Sequence, residues 1–146
     1  MTIETRDFGS MELDESEVLQ FSVPIFGFDA LQRFVVLSDD EAGPGLLWLQ
    51  SVDDPATCFI LLDPEAIGLE YDPQVPAEAS RQLKCEEGDA LVVRVIAVVP
   101  EDFKDTTVNL KSPVVINTAK RLAAQVILEA DYPIRMRLFD EEGAAC

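Results

Sequence analysis

The sequence predicts a compact, mainly antiparallel β domain, barrel-like or sandwich-like, with one or two short helices. Three observations predict it. Apolar and polar residues alternate with period two over most of the chain, and turn-forming residues interrupt that alternation every 8–12 residues. Residues 90–99 are rich in β-branched side chains, which is typical of a central strand covered on both faces. A length of 146 residues fits a single domain.

Turn signals separate the predicted strands of the N-terminal half. Gly9-Ser10 favours a hairpin turn, and residues 39–45 form a cluster of turn-forming residues. Pro24 and Gly27 predict a loop, because proline restricts the backbone of Val23 and glycine can adopt positive φ, and Asp29 is expected to cap one helical turn. The first six strands are predicted at 2–8, 11–13, 18–21, 33–38, 46–52 and 57–62.

The second half of the chain carries the predicted helices. Asp63 as N-cap, Pro64 at the first helical position and Gly68 as terminator predict a short helix. Residues 76–83 have helix-forming composition and predict a longer one. Residues 110–112 are expected to link two separate strands. The remaining strands are predicted at 90–99, 106–109, 113–117, 122–128 and, as a last edge strand, 134–138. The domain is thus expected to span 1–138, followed by a short acidic tail, 139–146, that frays.

The stretch LLWLQSVDDPATCFILLDP, residues 46–64, is most simply a β-hairpin. Asp53-Asp54-Pro55 forces the reversal, since proline donates no ladder hydrogen bond. Leu47 and Leu49 are expected on one face, with Trp48 on the other. Trp48 is therefore either part of the core or a binding anchor beside the hairpin tip.

The net charge of −17 is the strongest global signal. It opposes direct binding to nucleic acid phosphates and to anionic membrane surfaces. Two readings of the acidity stay open at this point: it maintains solubility, or it steers a basic partner. The N-terminus has no apolar signal region, so a cytoplasmic location is expected.

Composition also argues against catalysis. The chain has no histidine, which excludes Ser-His-Asp and Cys-His mechanisms and removes the commonest metal ligand. Cys58, Cys85 and Cys146 form no Cys-x-x-Cys pair, and free thiols fit a reducing compartment. No glycine-rich phosphate loop or calcium-loop spacing is present. We expect no enzyme activity, no cofactor and no metal site; an enzyme using carboxylates or Cys146 is the opposing hypothesis.

A few other side chains have two readings. Phe26 and Phe28 flank Gly27 in a predicted loop, where they are either interface residues or tucked against the core. Asn109 and Asn117 each end an apolar strand, where capping of a turn by the side chain is the simpler explanation.

Four segments in order resemble the flagellar assembly factor FliW family, along residues 2–138. They are IETRDFGSMELDESEVLQF, PIFGFDALQRFVVL, LLWLQSVDDPATCFILLDP and VVPEDFKDTTVNLKSPVVINTAKRLAAQVILEADYPIR. The resemblance implies a non-enzymatic regulator with a β-barrel-like fold. It also implies two partners, cytoplasmic flagellin and the translational repressor CsrA, with CsrA released when unsecreted flagellin captures the factor.

The implied partners suggest different contacts. CsrA is a basic RNA-binding protein that an acidic surface would attract, whereas the amphipathic terminal segments of flagellin suit a hydrophobic groove. A chaperone-like flagellin holder with no CsrA role is the alternative. The candidate partner-binding residues are Phe26, Phe28, Trp48, Asp53, Asp54, Asn109, Asn117 and Arg135.

Overall fold

The computed structural model describes residues 1–43 and 45–139. Within them the chain forms ten strands, one α-helix and three short 3-10 turns. The strands are β1 (Thr2–Glu4), β2 (Ser10–Glu12), β3 (Leu19–Val23), β4 (Arg33–Leu37), β5 (Leu46–Ser51), β6 (Cys58–Leu62), β7 (Leu91–Val98), β8 (Thr107–Asn117), β9 (Leu122–Gln125) and β10 (Met136–Arg137); the helix is α1 (Ala77–Gln82). None of the described helices is long and apolar enough to cross a membrane.

Seven of these strands close into a barrel. They are hydrogen-bonded in the order β8-β7-β6-β5-β4-β3-β9, and β9 returns to pair with β8. All neighbours are antiparallel except β3 and β9, which run parallel. The prediction of a compact, mainly antiparallel β domain is confirmed, and closure decides for the barrel over the sandwich. β10 adds beside the first half of β8, and β1 and β2 form a separate hairpin.

The barrel interior holds the main core. Phe21 and Phe34 meet edge to face with ring centroids 5.1 Å apart, and Leu49 and Leu61 are fully buried around them. Three further clusters cover the outer wall: one beneath α1, one beneath the N-terminal hairpin, and one on β7 and β8 around Val95 and Val108. The alternation of β5 explains the division, since Leu47 and Leu49 face the interior while Trp48 joins the outer cluster.

Two predicted helical segments are wrong. Residues 63–68 form hydrogen-bonded turns, although Asp63 accepts a bond from the Glu65 N–H at 3.1 Å as an N-cap does. Gly68, at φ 72°, ends the segment after one turn. Near Asp29 the chain makes a simple turn, closed by the Leu31 N–H on the Phe28 carbonyl. The predicted helix at 76–83 is confirmed as α1.

The predicted link at 110–112 is also wrong as a strand break, because β8 is continuous from Thr107 to Asn117. The register explains the signal: Arg94 of β7 opposes Val114, but Ile96 opposes Asn109, so β8 bulges away from β7 between them. The strand predicted at 2–8 ends at Glu4, because the hairpin turn occupies the residues between β1 and β2.

At the C-terminal end, the strand predicted at 134–138 is reduced to β10, Met136–Arg137. Phe139 packs edge to face on Phe103 at 5.5 Å. The rest of the predicted tail, 140–146 with Cys146, lies outside the described residues.

Candidate functional site

The barrel has two ends, set by the direction of its strands. The antiparallel registers place the connections β3–β4, β5–β6 and β7–β8 at one end, which we call the lower end. The chain that follows β9 also runs towards the lower end. The connections β4–β5, β6–β7 and β8–β9 lie at the opposite, upper end, so every loop can be assigned to one end from pairing alone.

The exposed large apolar side chains collect towards the lower end. Phe26 is 89% exposed and Ile127 is 70% exposed. Apart from the N-terminal Met1, every exposed large hydrophobic among the described residues lies at the lower end of β7, on a lower connection or on the chain after β9. We call this set the apolar rim: Phe26, Phe28, Val98, Val99, Phe103, Ile127 and Ile134. Such a concentration of exposed apolar side chains is typical of interaction surfaces.

The loop after β3 holds Phe26 outward. Pro24 has no N–H and ends the strand, Ile25 is buried in the barrel core, and Gly27 takes φ 89°. The Phe26 N–H donates to the Gln125 side-chain oxygen at 2.7 Å. The ring is thus presented to solvent by a loop fixed at both sides, which lowers the entropic cost of binding through it.

Phe28 is only partly available. It is 37% exposed and meets Phe59 edge to face at 5.0 Å, and Phe59 in turn packs on Phe34 at 6.1 Å. Of the two phenylalanines that sequence left ambiguous, Phe26 lies on the surface and Phe28 bridges surface and core.

The tip of the β5–β6 hairpin lies at the lower end too. Arg33 is ion-paired with Asp53, and that hydrogen bond holds the pKa of the Asp53 carboxyl below its usual range. Asp54 instead stabilises the turn, since its carboxylate accepts bonds from the Thr57 hydroxyl at 2.6 Å and the Ala56 N–H at 3.1 Å. Asp53 is the exposed charge of the pair, and Asp54 is part of the hairpin.

The other candidates lie in different places. Trp48 packs against Phe8 at 4.9 Å on the outer wall, beneath the N-terminal hairpin. Asn109 accepts a bond from the Ser112 N–H inside the β8 bulge. Asn117 is fully buried at the upper end and donates to the Leu83 carbonyl at 3.0 Å. Arg135 is exposed in the lower half, between β9 and β10.

Carboxylates occur at both ends. The upper end carries a groove bordered by Asp63, Glu65 and Asp72, with Arg94 3.7 Å from Asp63. The β7–β8 connection at the lower end carries Asp102 and Asp105, each ion-paired with a basic side chain. Within residues 1–43 and 45–139, no three ligand-type side chains converge as a metal site requires.

Five rim residues were not found from the sequence: Val98, Val99, Phe103, Ile127 and Ile134. Val98 and Val99 end a run of β-branched residues that resembles a buried strand throughout, and Ile127 lies in a similar run. Only the position of each residue relative to the end of the barrel shows that it is exposed.

Comparison with known proteins gives one consistent result. The model of the FliW protein family matches residues 2–138. The flagellar assembly factor FliW of Caldanaerobacter subterraneus subsp. tengcongensis is 33% identical over 97% of this chain and 95% of its own length, and that of Caldicellulosiruptor saccharolyticus is 36% identical over 94% and 90%. A crystal structure of the flagellar assembly factor FliW superimposes with a TM-score of 0.87 at 34% identity, covering 97% of this chain and 99% of that one.

Proposed function

The chain belongs to the FliW family of flagellar assembly factors, and from this we propose that it is a non-enzymatic, cytoplasmic regulator that binds flagellin and antagonises CsrA. In this scheme the free protein holds CsrA away from flagellin mRNA, and unsecreted flagellin captures the protein and releases CsrA. The apolar rim is the single observation that carries the proposal, because a binding protein needs an exposed apolar surface and a soluble monomer does not.

Flagellin fits the rim by its chemistry. Its terminal segments are amphipathic before export, so they present an apolar face that must be covered in water. The rim offers aromatic and aliphatic side chains at the end of the barrel, and the Gln125 contact anchors the backbone at Phe26, whose ring is exposed. We assign Phe26 as the central anchor, with Phe28 as a partly buried neighbour.

The acidic surface of this chain is complementary to a basic partner such as CsrA. A protein of net charge −17 attracts a basic RNA-binding surface over long range, and once docked it repels RNA phosphates. Antagonism then follows by either of two routes: direct occlusion of the RNA site, or docking nearby with electrostatic exclusion of RNA.

The test is a pair of calorimetric titrations, with purified CsrA and with purified flagellin monomer, each at low and at physiological salt. We expect CsrA binding to weaken as salt rises and flagellin binding to change little with salt. Flagellin binding without CsrA binding at either salt would select the alternative, a chaperone-like flagellin holder. Binding of neither partner would overturn the proposal.

A further inference from the structure

A notch opens in the barrel wall where β3 leaves β9. The two strands pair only as far as Val23 and Ala124, and Pro24 then turns the chain away. The chain after β9 nevertheless continues as an extended segment on β8. The Val126 N–H donates to the Pro113 carbonyl and the Leu128 N–H to the Lys111 carbonyl, both at 2.9 Å. Residues 126–128 therefore pair with β8 on one side. On their other side no described strand takes the place that β3 has beside β9.

Ile127 supplies the open hydrogen-bonding groups of this edge. Because backbone groups alternate in direction along a strand, its N–H and C=O point away from β8, towards the notch. Neither group makes a hydrogen bond with any described residue. On the side of the notch nearer the upper end, the Gln125 side chain accepts a hydrogen bond from the Phe26 N–H. Unpaired edge groups of this kind are a template for an added strand.

The surroundings of the notch select the occupant. A groove beside it is lined by apolar residues and by two glutamines. The apolar residues are Val23, Pro76, Ala79, Val126 and Ile127, and the glutamines are Gln82 and Gln125. Glu78 is the one charged side chain in that lining, and Glu129 borders the neighbouring groove that continues past Pro76. An occupant with aliphatic and basic side chains would match both the lining and the carboxylates.

We propose that this notch binds an extended peptide segment with alternating aliphatic and Lys or Arg side chains, which adds as a strand beside residues 126–128. A second copy of this chain is disfavoured because both copies are strongly acidic. The acidic Asp140-Glu141-Glu142 of its own sequence would meet Glu78 with like charge. The inference goes beyond the proposed function, since it describes how a peptide segment of this chemistry binds and does not depend on the proposed roles of flagellin and CsrA.

Amide hydrogen exchange of the full chain tests the proposal directly. The probe is an acetylated, amidated peptide of four lysines alternating with three valines, and the control peptide has glutamate in place of lysine. Without peptide, the Ile127 amide should exchange fast while those of Val126 and Leu128 are protected. Saturating lysine peptide should slow Ile127 exchange at least tenfold, and the glutamate peptide should leave it unchanged.

Two variants at one position separate backbone pairing from apolar contact. Ile127→Pro removes an N–H that bonds nothing in the free protein, at an edge position where proline is tolerated, so the fold should persist. Its affinity for the lysine peptide should fall at least tenfold. Ile127→Ala keeps the N–H, and its affinity should fall only about twofold to threefold.

Three results would overturn the proposal. One is an Ile127 exchange rate that stays unchanged when the lysine peptide is present at saturating concentration. Another is equal affinity of the proline and alanine variants. The third is protection of Ile127 that rises with protein concentration in the absence of peptide, which would make a second copy of the chain the occupant.

Discussion

The two ends of the barrel carry charge of the same sign but differ in apolar exposure. At the upper end, the connections contribute carboxylates and none of the exposed large hydrophobic side chains among the described residues. At the lower end, carboxylates stand beside the apolar rim. A search for a site by charge alone would therefore find both ends, whereas apolar exposure distinguishes them.

The difference follows from how each end is closed. The long β6–β7 connection at the upper end contains α1, and Leu83 at its end is fully buried against the outer wall. The buried Asn117 fastens this connection to β8 by donating to the Leu83 carbonyl and to Asp89. The side chains of the apolar rim have no such cover and remain in solvent. The upper end is thus held by buried packing and hydrogen bonds, whereas the lower end leaves apolar surface exposed.

The largest effect is expected at the upper end. Asn117→Ala removes the donor to the buried Leu83 carbonyl and the acceptor of the Lys120 N–H. Because buried polar groups left unpaired are costly, the free energy of unfolding should fall by about 2–3 kcal/mol in urea denaturation.

The matched control is Asn109→Ala, in the β8 bulge near the lower end. Its side chain accepts one bond, from the partly buried Ser112 N–H, so the loss should be about 1 kcal/mol. Equal losses for the two variants would contradict the division of roles between the ends.

The next effect is at the rim, where Phe26 and Phe28 should separate binding from stability. Phe26→Ala removes a ring that is 89% exposed, so stability should change by less than about 0.5 kcal/mol, while flagellin binding should weaken by more than about 1 kcal/mol. Phe28→Ala loses the contact with Phe59 and should reduce stability by about 1–2 kcal/mol.

Thermal denaturation and calorimetric titration of both variants measure this contrast. A large drop in melting temperature for Phe26→Ala would show that Phe26 contributes to the core and not to the apolar rim.

The sequence predicted the barrel's strands well because they repeat a period-two pattern between clear turns. It predicted the β5–β6 hairpin for the same reason. The helix at 63–68 failed because capping residues at both ends do not compensate for a segment of one turn, and isolated short helices are marginal in water. The break at 110–112 failed because proline and polar residues mark a bulge and a link alike.

Only part of the candidate surface could be predicted. Phe26 was named as a candidate because packing explains an aromatic residue in a glycine-containing loop less well, although burial against the core stayed open. Val98 and Ile127 could not be recognised, because a β-branched or aliphatic residue in an apolar run has the same local pattern at the middle of a barrel and at its rim. Strand register, which is non-local, decides between the two.

A smaller effect is expected at the hairpin tip. Asp53→Lys should slow association with CsrA a few-fold at low salt, since exposed charges act mainly on the association rate. Its exposed ion pair with Arg33 contributes little, so stability should change by less than about 1 kcal/mol. Asp53→Asn is the control and should give about half the effect on the logarithm of the rate.

Stopped-flow mixing measures the association rates of both variants. An unchanged rate would show that the hairpin tip does not take part in the encounter with CsrA. Asp54 is unsuitable, because its reversal would also disturb the turn.

The last effect is a dependence of stability on pH in the acid range, again at the upper end. The hydrogen bond from Lys120, supported by the Glu86 N–H and Asn117, lowers the pKa of Asp89 from 3.8 to about 2. A carboxyl whose pKa is depressed on folding stabilises the protein above its unfolded pKa, and that contribution is lost as pH falls from about 4 to 2. The difference in unfolding free energy between the natural protein and Asp89→Asn should therefore be constant above pH 5 and shrink below pH 4. The Asp53 carboxyl is exposed and paired with one arginine. The corresponding difference for Asp53→Asn should therefore depend less on pH over the same range. Urea midpoints at pH 6, 4, 3 and 2 measure both differences. An equal or larger pH dependence for Asp53→Asn would mean that the upper end is not the more tightly fastened of the two.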